Sequence, residues 1–187
     1  GFMILRLAEE CDGSMTIEIE RGVAGALFRH CLPLFVGKVF RTVSPGAEYL
    51  PNWHIYAIAE YLAACERGEI RRLIINMPPR YMKSLVTNVA WPAFLLGHAP
   101  ERRIISASYA QMLATKHAVD TRLVMQSAWY RAMFPAVKLS ADQNEKDKFV
   151  TTARGHRIAV SVGSAVTGEG GDFLIVDDPL NPAQANS

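Results

Sequence analysis

Hydrophobic and polar positions alternate with a helical period at the start of the chain. Val23, Ala26 and Leu27 recur among Glu18, Glu20, Arg21 and Arg29 from Ile17 to Cys31, and Pro33 is expected to end that run. A short helix from Leu34 to Val43 should follow, then a turn at Ser44-Pro45-Gly46, where Pro fixes φ and Gly supplies a left-handed position. The next helix is the best marked of this half. Asn52 can cap it, Ile55, Ile58, Ala59, Leu62 and Cys65 share one face, and Gly68 sits where a left-handed C-terminal cap belongs. The pattern then changes. Leu73-Ile74-Ile75 has the short apolar run of a buried strand, cut off by Pro78 and Pro79, neither of which donates a backbone hydrogen bond. Lys83-Ser84 opens a helical run to Ala90, after which Trp91-Pro92 either kinks it or starts a new short turn closed by Gly97.

Arg103 to Ser108 reads as a second buried strand, and Ser108 to Gln111 spells a capping box for a helix running to about Gln126. Strand, helix, strand, helix predicts an α/β fold with a parallel sheet and right-handed crossovers. A further helical turn or two over Ser127 to Phe134 stops at Pro135, and the polar stretch Leu139 to Lys148 reads as a loop. Phe149 to Thr152 and His156 to Val162 flank Ala153-Arg154-Gly155 as a β-hairpin, with His156 expected at its exposed surface. Gly163 to Gly171 holds four glycines and should be mobile without a ligand. Phe173 to Val176 is a fully apolar strand that ends in Asp177-Asp178-Pro179.

Composition narrows the class. With 187 residues, 50% hydrophobic and 20% charged, the chain suits one sizeable core rather than two domains. The expected division is a helical N-terminal segment, 1–34, and an α/β unit, 35–187; residues 1–14, ahead of Met15, are set apart from the folded core. A net charge of +2 does not announce a polyanion partner, so any such partner must be argued locally. Arg71, Arg72, Arg102 and Arg103 at the strand starts read as solvated flanks rather than a DNA track. Cys11, Cys31 and Cys65 lack metal-ligand spacing and suit buried thiols in a reducing compartment. No apolar run reaches the roughly 18 residues of a membrane span, and no signal peptide is evident.

The chemistry concentrates at two strand ends. A strand, a tight loop and a helix opening with Lys83-Ser84 have the layout of a phosphate-binding loop, in which backbone N–H groups cradle phosphate, Lys reaches the outer phosphates and Ser meets Mg²⁺. The glycines of G-x-x-x-x-G-K-[ST] are replaced by Met77 and Met82. Met82 is therefore expected in an ordinary right-handed conformation, its side chain turned from the phosphates. Four apolar residues followed by Asp177 and Asp178 have the form of the second nucleotide motif, with Asp177 orienting Mg²⁺ and Asp178 as candidate general base.

Pro78-Pro79-Arg80 with Lys83-Ser84, Trp91 to Gly97 with Pro100, Ser108-Tyr109-Ala110-Gln111, and Thr167 to Pro179 together resemble the large terminase subunit of tailed bacteriophages and prophages, over roughly residues 35 to 185. The resemblance implies a P-loop NTPase core of the ASCE type with a β-hairpin insertion. Its function would be the ATP hydrolase part of a motor that drives double-stranded DNA into a procapsid in the cytoplasm of a bacterial host. It implies ATP and Mg²⁺ as ligands, with Ser84 and Asp177 on the metal, Lys83, Asp178 and Arg80 catalytic, and Pro79, Arg80, Tyr81, Met82, Lys83 and Ser84 around the phosphates. Asp178 stands where many relatives have Glu. In related motors a residue on the helix before the loop contacts adenine, a place taken here by Trp53 and His54; the alternative is that Trp53 staples the helix start and His54 is merely polar. Implied partners are a small terminase subunit and a portal protein, with a homo-oligomer assembled on the portal and no membrane. Family members place the strand after the acidic motif between the loop strand and the acidic strand, and a nuclease domain further on. The chain is thus expected to be a fragment with weak ATPase activity, negligible DNA cleavage and poor solubility by itself. The competing readings are a non-hydrolysing nucleotide-fold interaction module and a helicase-like ATPase.

Overall fold

A computed structural model describes residues 25–164 and 168–180. Most of the predicted first helix, the centre of the glycine-rich segment and the residues after 180 lie outside the described residues, so the expectations placed there are not addressed. Residues 25–30 are helical, and α1 (Leu32–Val43) follows at once. Pro33 starts α1 rather than ending the helix before it, because a first-turn residue has no intrahelical acceptor for an N–H. Helix α2 (Trp53–Glu66) begins and ends at the residues expected of it. Asn52 Oδ1 accepts the Trp53 N–H at 2.7 Å, and Gly68 takes φ +78° just past the last turn. Ile55, Ile58, Ala59 and Leu62 turn inward against α1 and the core.

The predicted strand at Leu73–Ile75 does not form. Leu73, Ile75 and Met77 rest half-buried against the core, while Ile74 is 93% exposed and the segment joins no sheet. A strand requires a partner for its N–H and C=O groups. Between this segment and the last strand lies a groove of about 590 Å³, lined by Leu62, Leu73, Ile75, Trp91, Phe173 and Ile175 among others. Residues 71–77 therefore lack the neighbour that would make them a strand.

After the loop the chain is helical from Lys83 to His98, first as a π-helical stretch, Leu85–Ala90, and then as α3, Trp91–His98. The kink expected at Trp91-Pro92 has a specific resolution. Pro92 cannot donate to the Asn88 carbonyl four residues back, and the wider turn lets the Trp91 N–H reach Val86 O instead. The freed Asn88 carbonyl accepts from Thr121 Oγ1 at 3.2 Å and from Arg157 Nη2 at 3.0 Å. Arg157 is fully buried, and burial pulls its pKa down to about 9, so it still carries its charge at neutral pH.

The sheet order is β2-β3-β4-β1-β5, from β1 (Arg103–Ser108), β2 (Leu139–Asn144), β3 (Lys148–Thr151), β4 (His156–Ser161) and β5 (Phe173–Asp177). β4, β1 and β5 run parallel, and β2, β3 and β4 pair antiparallel, so the molecule is an α/β fold with a mixed sheet. The expected loop at Leu139–Lys148 thus contains an edge strand; half of its residues are exposed, none is buried, and its register with β3 is irregular, so it lacks an alternating apolar face. Helix α4 (Gln111–Gln126) covers β4 and β1, with the short α5 (Ala128–Met133) after it. The capping box expected at Ser108 is absent: Ser108 ends β1 opposite Ser161 and Asp177, and the extended Ala110 takes the N-cap place. His156, expected at the surface, is 8% exposed because its strand is paired with both β1 and β3.

Helices α1, α3 and α5 pack over an aromatic knot. Phe35 meets Phe94 and Trp129 edge-on at 5.3 and 5.4 Å, and the Tyr130 hydroxyl donates to Ala93 O at 2.8 Å. Among the described residues, no helix is long and apolar enough to cross a membrane.

Candidate nucleotide site

The parallel strands β1 and β5 are in register from Ile104–Phe173 to Ser108–Asp177, so β5 delivers Asp177 to the same sheet end at which β1 hands over to α4. The turn at Pro79-Arg80 leads into the Lys83 helix, whose start lies at this end. Lys83 Nζ lies 2.7 Å from Asp178 Oδ1 and 3.3 Å from Asp177 Oδ1, a meeting of residues 95 positions apart for the first pair. Burial acts to lower the Lys83 pKa; hydrogen bonds and charge from Asp178 and Asp177 outweigh it and raise the pKa above its ordinary value.

The two carboxylates differ in setting. Asp177 is 3% exposed, and its Oδ2 has no hydrogen-bond partner among the described residues. A buried carboxylate oxygen left unpaired is costly, and it fits a hard oxygen-seeking cation. Asp178 is exposed, stands at φ +45°, and is held through its carbonyl by the Tyr109 N–H at 3.2 Å. Ser84 is half-buried at the start of the π-helical stretch, and its hydroxyl makes no capping bond. Ser84 and Asp177 could hold Mg²⁺ with phosphate oxygens and water completing the shell. Among the described residues, no cluster of three or more His, Cys, Asp or Glu forms a metal site of protein ligands alone.

The loop itself has an unusual backbone. Arg80 and Met82 lie at φ +71° and +60°, so the expected right-handed Met82 is incorrect. The reason is local: a turn at Pro79-Arg80 runs within two residues into a helix beginning at Lys83, and no glycine is available for the left-handed steps. Together with Asp178, these make three of the four positive-φ non-glycine residues among those described, so backbone strain collects at this site. The first helical bond runs from Val86 N to Met82 O at 2.9 Å, which leaves the N–H groups of Lys83, Ser84 and Leu85 without an intrahelical acceptor. Such a helix start attracts anions.

The remaining expected residues are dispersed around the loop. Pro79 and Arg80 are exposed and Tyr81 is half-exposed. Trp53 is 77% exposed, with its ring edge-on to His54 at 6.2 Å, so it does not staple the start of α2. His54 is 7% exposed and bonds through Nε2 to the Tyr81 carbonyl at 3.1 Å, so it is more than a merely polar surface residue.

Several polar residues behind the site were missed from sequence. Thr87 Oγ1 donates to Lys83 O at 3.0 Å and accepts from Asn88 Nδ2 at 3.2 Å. His117, buried on α4, has its pKa lowered chiefly by burial, with Asp177 acting to raise it and Arg157 to lower it. Two signals were present: an arginine inside the apolar run of β4, and a proline four residues after Asn88. No protein-family model and no curated protein matches this chain, which leaves the geometry around Lys83 and Asp177 to carry the functional reading.

Proposed function

We propose that this chain is the ATP-hydrolysing part of a viral DNA-packaging motor of the large-terminase type, coupling turnover to movement of double-stranded DNA. The observation that carries the reading is the position of Lys83 Nζ between Asp178 and Asp177, which joins a phosphate-type loop to the acidic end of a parallel strand. In this reading Lys83 and the free N–H groups at the helix start bind the outer phosphates of ATP. Ser84 and Asp177 hold Mg²⁺, which would supply positive charge against the phosphates. Lys83 leaves the carboxylates as it engages phosphate. That frees Asp178, on the exposed side, to accept a proton from the attacking water. Arg80 adds a second cation on the loop. The groove beside β5 supports the same reading, because it lies between the two segments where the resemblance places a further strand.

The same ion pairs favour a second reading. A loop whose lysine stays on Asp178 would bind nucleotide without turning it over. ATP binding and hydrolysis, measured with and without double-stranded DNA on the wild type and Lys83→Ala, test both. We expect Lys83→Ala to abolish binding or turnover, and DNA to stimulate the wild type. Wild-type binding and turnover in Lys83→Ala would overturn the site. Binding without turnover in the wild type would select the second reading.

A further inference from the structure

We propose that His54 is a positioning residue that sets the shape of the phosphate loop from behind; the inference rests on the nucleotide reading of that loop. His54 sits in the first turn of α2, a helix anchored by the buried Ile55, Ile58 and Leu62. Its Nε2 is 3.1 Å from the Tyr81 carbonyl oxygen, and facing a carbonyl this nitrogen must carry the proton and donate it. Tyr81 lies between Arg80 and Met82, both in the left-handed region. Side-chain-bearing residues persist there only where their surroundings hold them.

Two bonds do so here. Val86 N–H grips the Met82 carbonyl from within the helix, and His54 grips the Tyr81 carbonyl from α2. In a planar trans peptide the C=O and the following N–H point in opposite directions. With the Tyr81 carbonyl turned toward α2, the Met82 N–H is turned away from it, immediately ahead of the free donors of Lys83, Ser84 and Leu85. His54 thereby aligns one more N–H for a phosphate oxygen. The base that Trp53 and His54 were expected to meet is not needed for this role.

The test compares His54→Gln, which keeps a side-chain N–H donor, with His54→Phe, which fills the space without one. Without ligand, exchange of the Val86 amide, whose bond to the Met82 carbonyl closes the loop, should quicken in His54→Phe and return toward wild type in His54→Gln, with exchange at Ile58 to Leu62 unchanged in both. ATP affinity should fall about threefold to tenfold in His54→Phe, the range of one hydrogen bond, and recover in His54→Gln. Wild-type Val86 exchange in His54→Phe, equal acceleration in both variants, or acceleration that extends into α2 would overturn the proposal. Failure of the wild type to bind ATP would instead count against the nucleotide reading, and Val86 exchange would still decide the role of His54.

Discussion

Met82 at φ +60° makes a measurable claim about the backbone, and the comparison of Met82→Gly with Met82→Ala isolates it. A left-handed L-residue costs roughly 1 to 2 kcal/mol, and glycine does not incur that cost. Glycine gives back about 0.5 to 1 kcal/mol through the extra freedom it loses on folding. Both variants lose the half-buried Met82 side chain from the edge of the core, so that loss cancels between them. Taking the middle of each range leaves an advantage of about 0.75 kcal/mol for Met82→Gly. At an ordinary helical position the sign is opposite, with alanine better by a similar amount. For a chain of this size the expected gap is about 1.5 to 3 °C in Tm, Met82→Gly melting higher. Thermal unfolding followed by tryptophan fluorescence reads it. Equal midpoints, or a higher midpoint for Met82→Ala, would refute the left-handed loop and with it the argument that His54 holds a strained turn.

Acidification should destabilise the fold between pH 7.5 and 5.5. Burial, the largest cause for both, lowers the pKa of His117 and His156 below the usual 6.5; for His156, Glu169 opposes this while Lys148 and Arg103 add to it. Unfolded histidines take up protons near pH 6.5 while the folded ones still resist, so stability is present above that pH and is lost as pH falls through it. Tm measured across this window should drop, and the slope should shrink in His117→Gln; a Tm that rises on acidification would contradict the burial of both rings. Gly155→Ala should be severe, because a Cβ there would collide with the backbone of Pro100, Glu101 and Arg102, none of which can swing aside. Overpacking of this kind costs about 3 kcal/mol, or roughly 6 to 12 °C in Tm, whereas Gly46→Ala, with open space around it, should stay within about 2 °C.

Local chemistry was enough to mark α2 between Asn52 and Gly68, the apolar strands β1 and β5, the hairpin, and the two ends of the candidate site at Lys83-Ser84 and Asp177-Asp178. Each of these depends on residues close in sequence: a cap, a run of β-forming side chains, a turn. Tertiary structure decided the rest, because those outcomes depend on which partner is within reach. Leu73–Ile75 is apolar enough for a strand and is not one, since no strand lies beside it to take its backbone hydrogen bonds. Leu139–Asn144 is too polar to look like one, yet it pairs along the edge of β3. An arginine inside an apolar strand and a proline four residues after Asn88 are visible in the sequence, but only the fold brings the Arg157 guanidinium to the carbonyl that Pro92 frees. At the site, charge and motif order named Lys83 and the aspartates, but the left-handed Met82 and the His54 bond follow from the space left between two prolines and a helix, a distance that residue types alone do not fix.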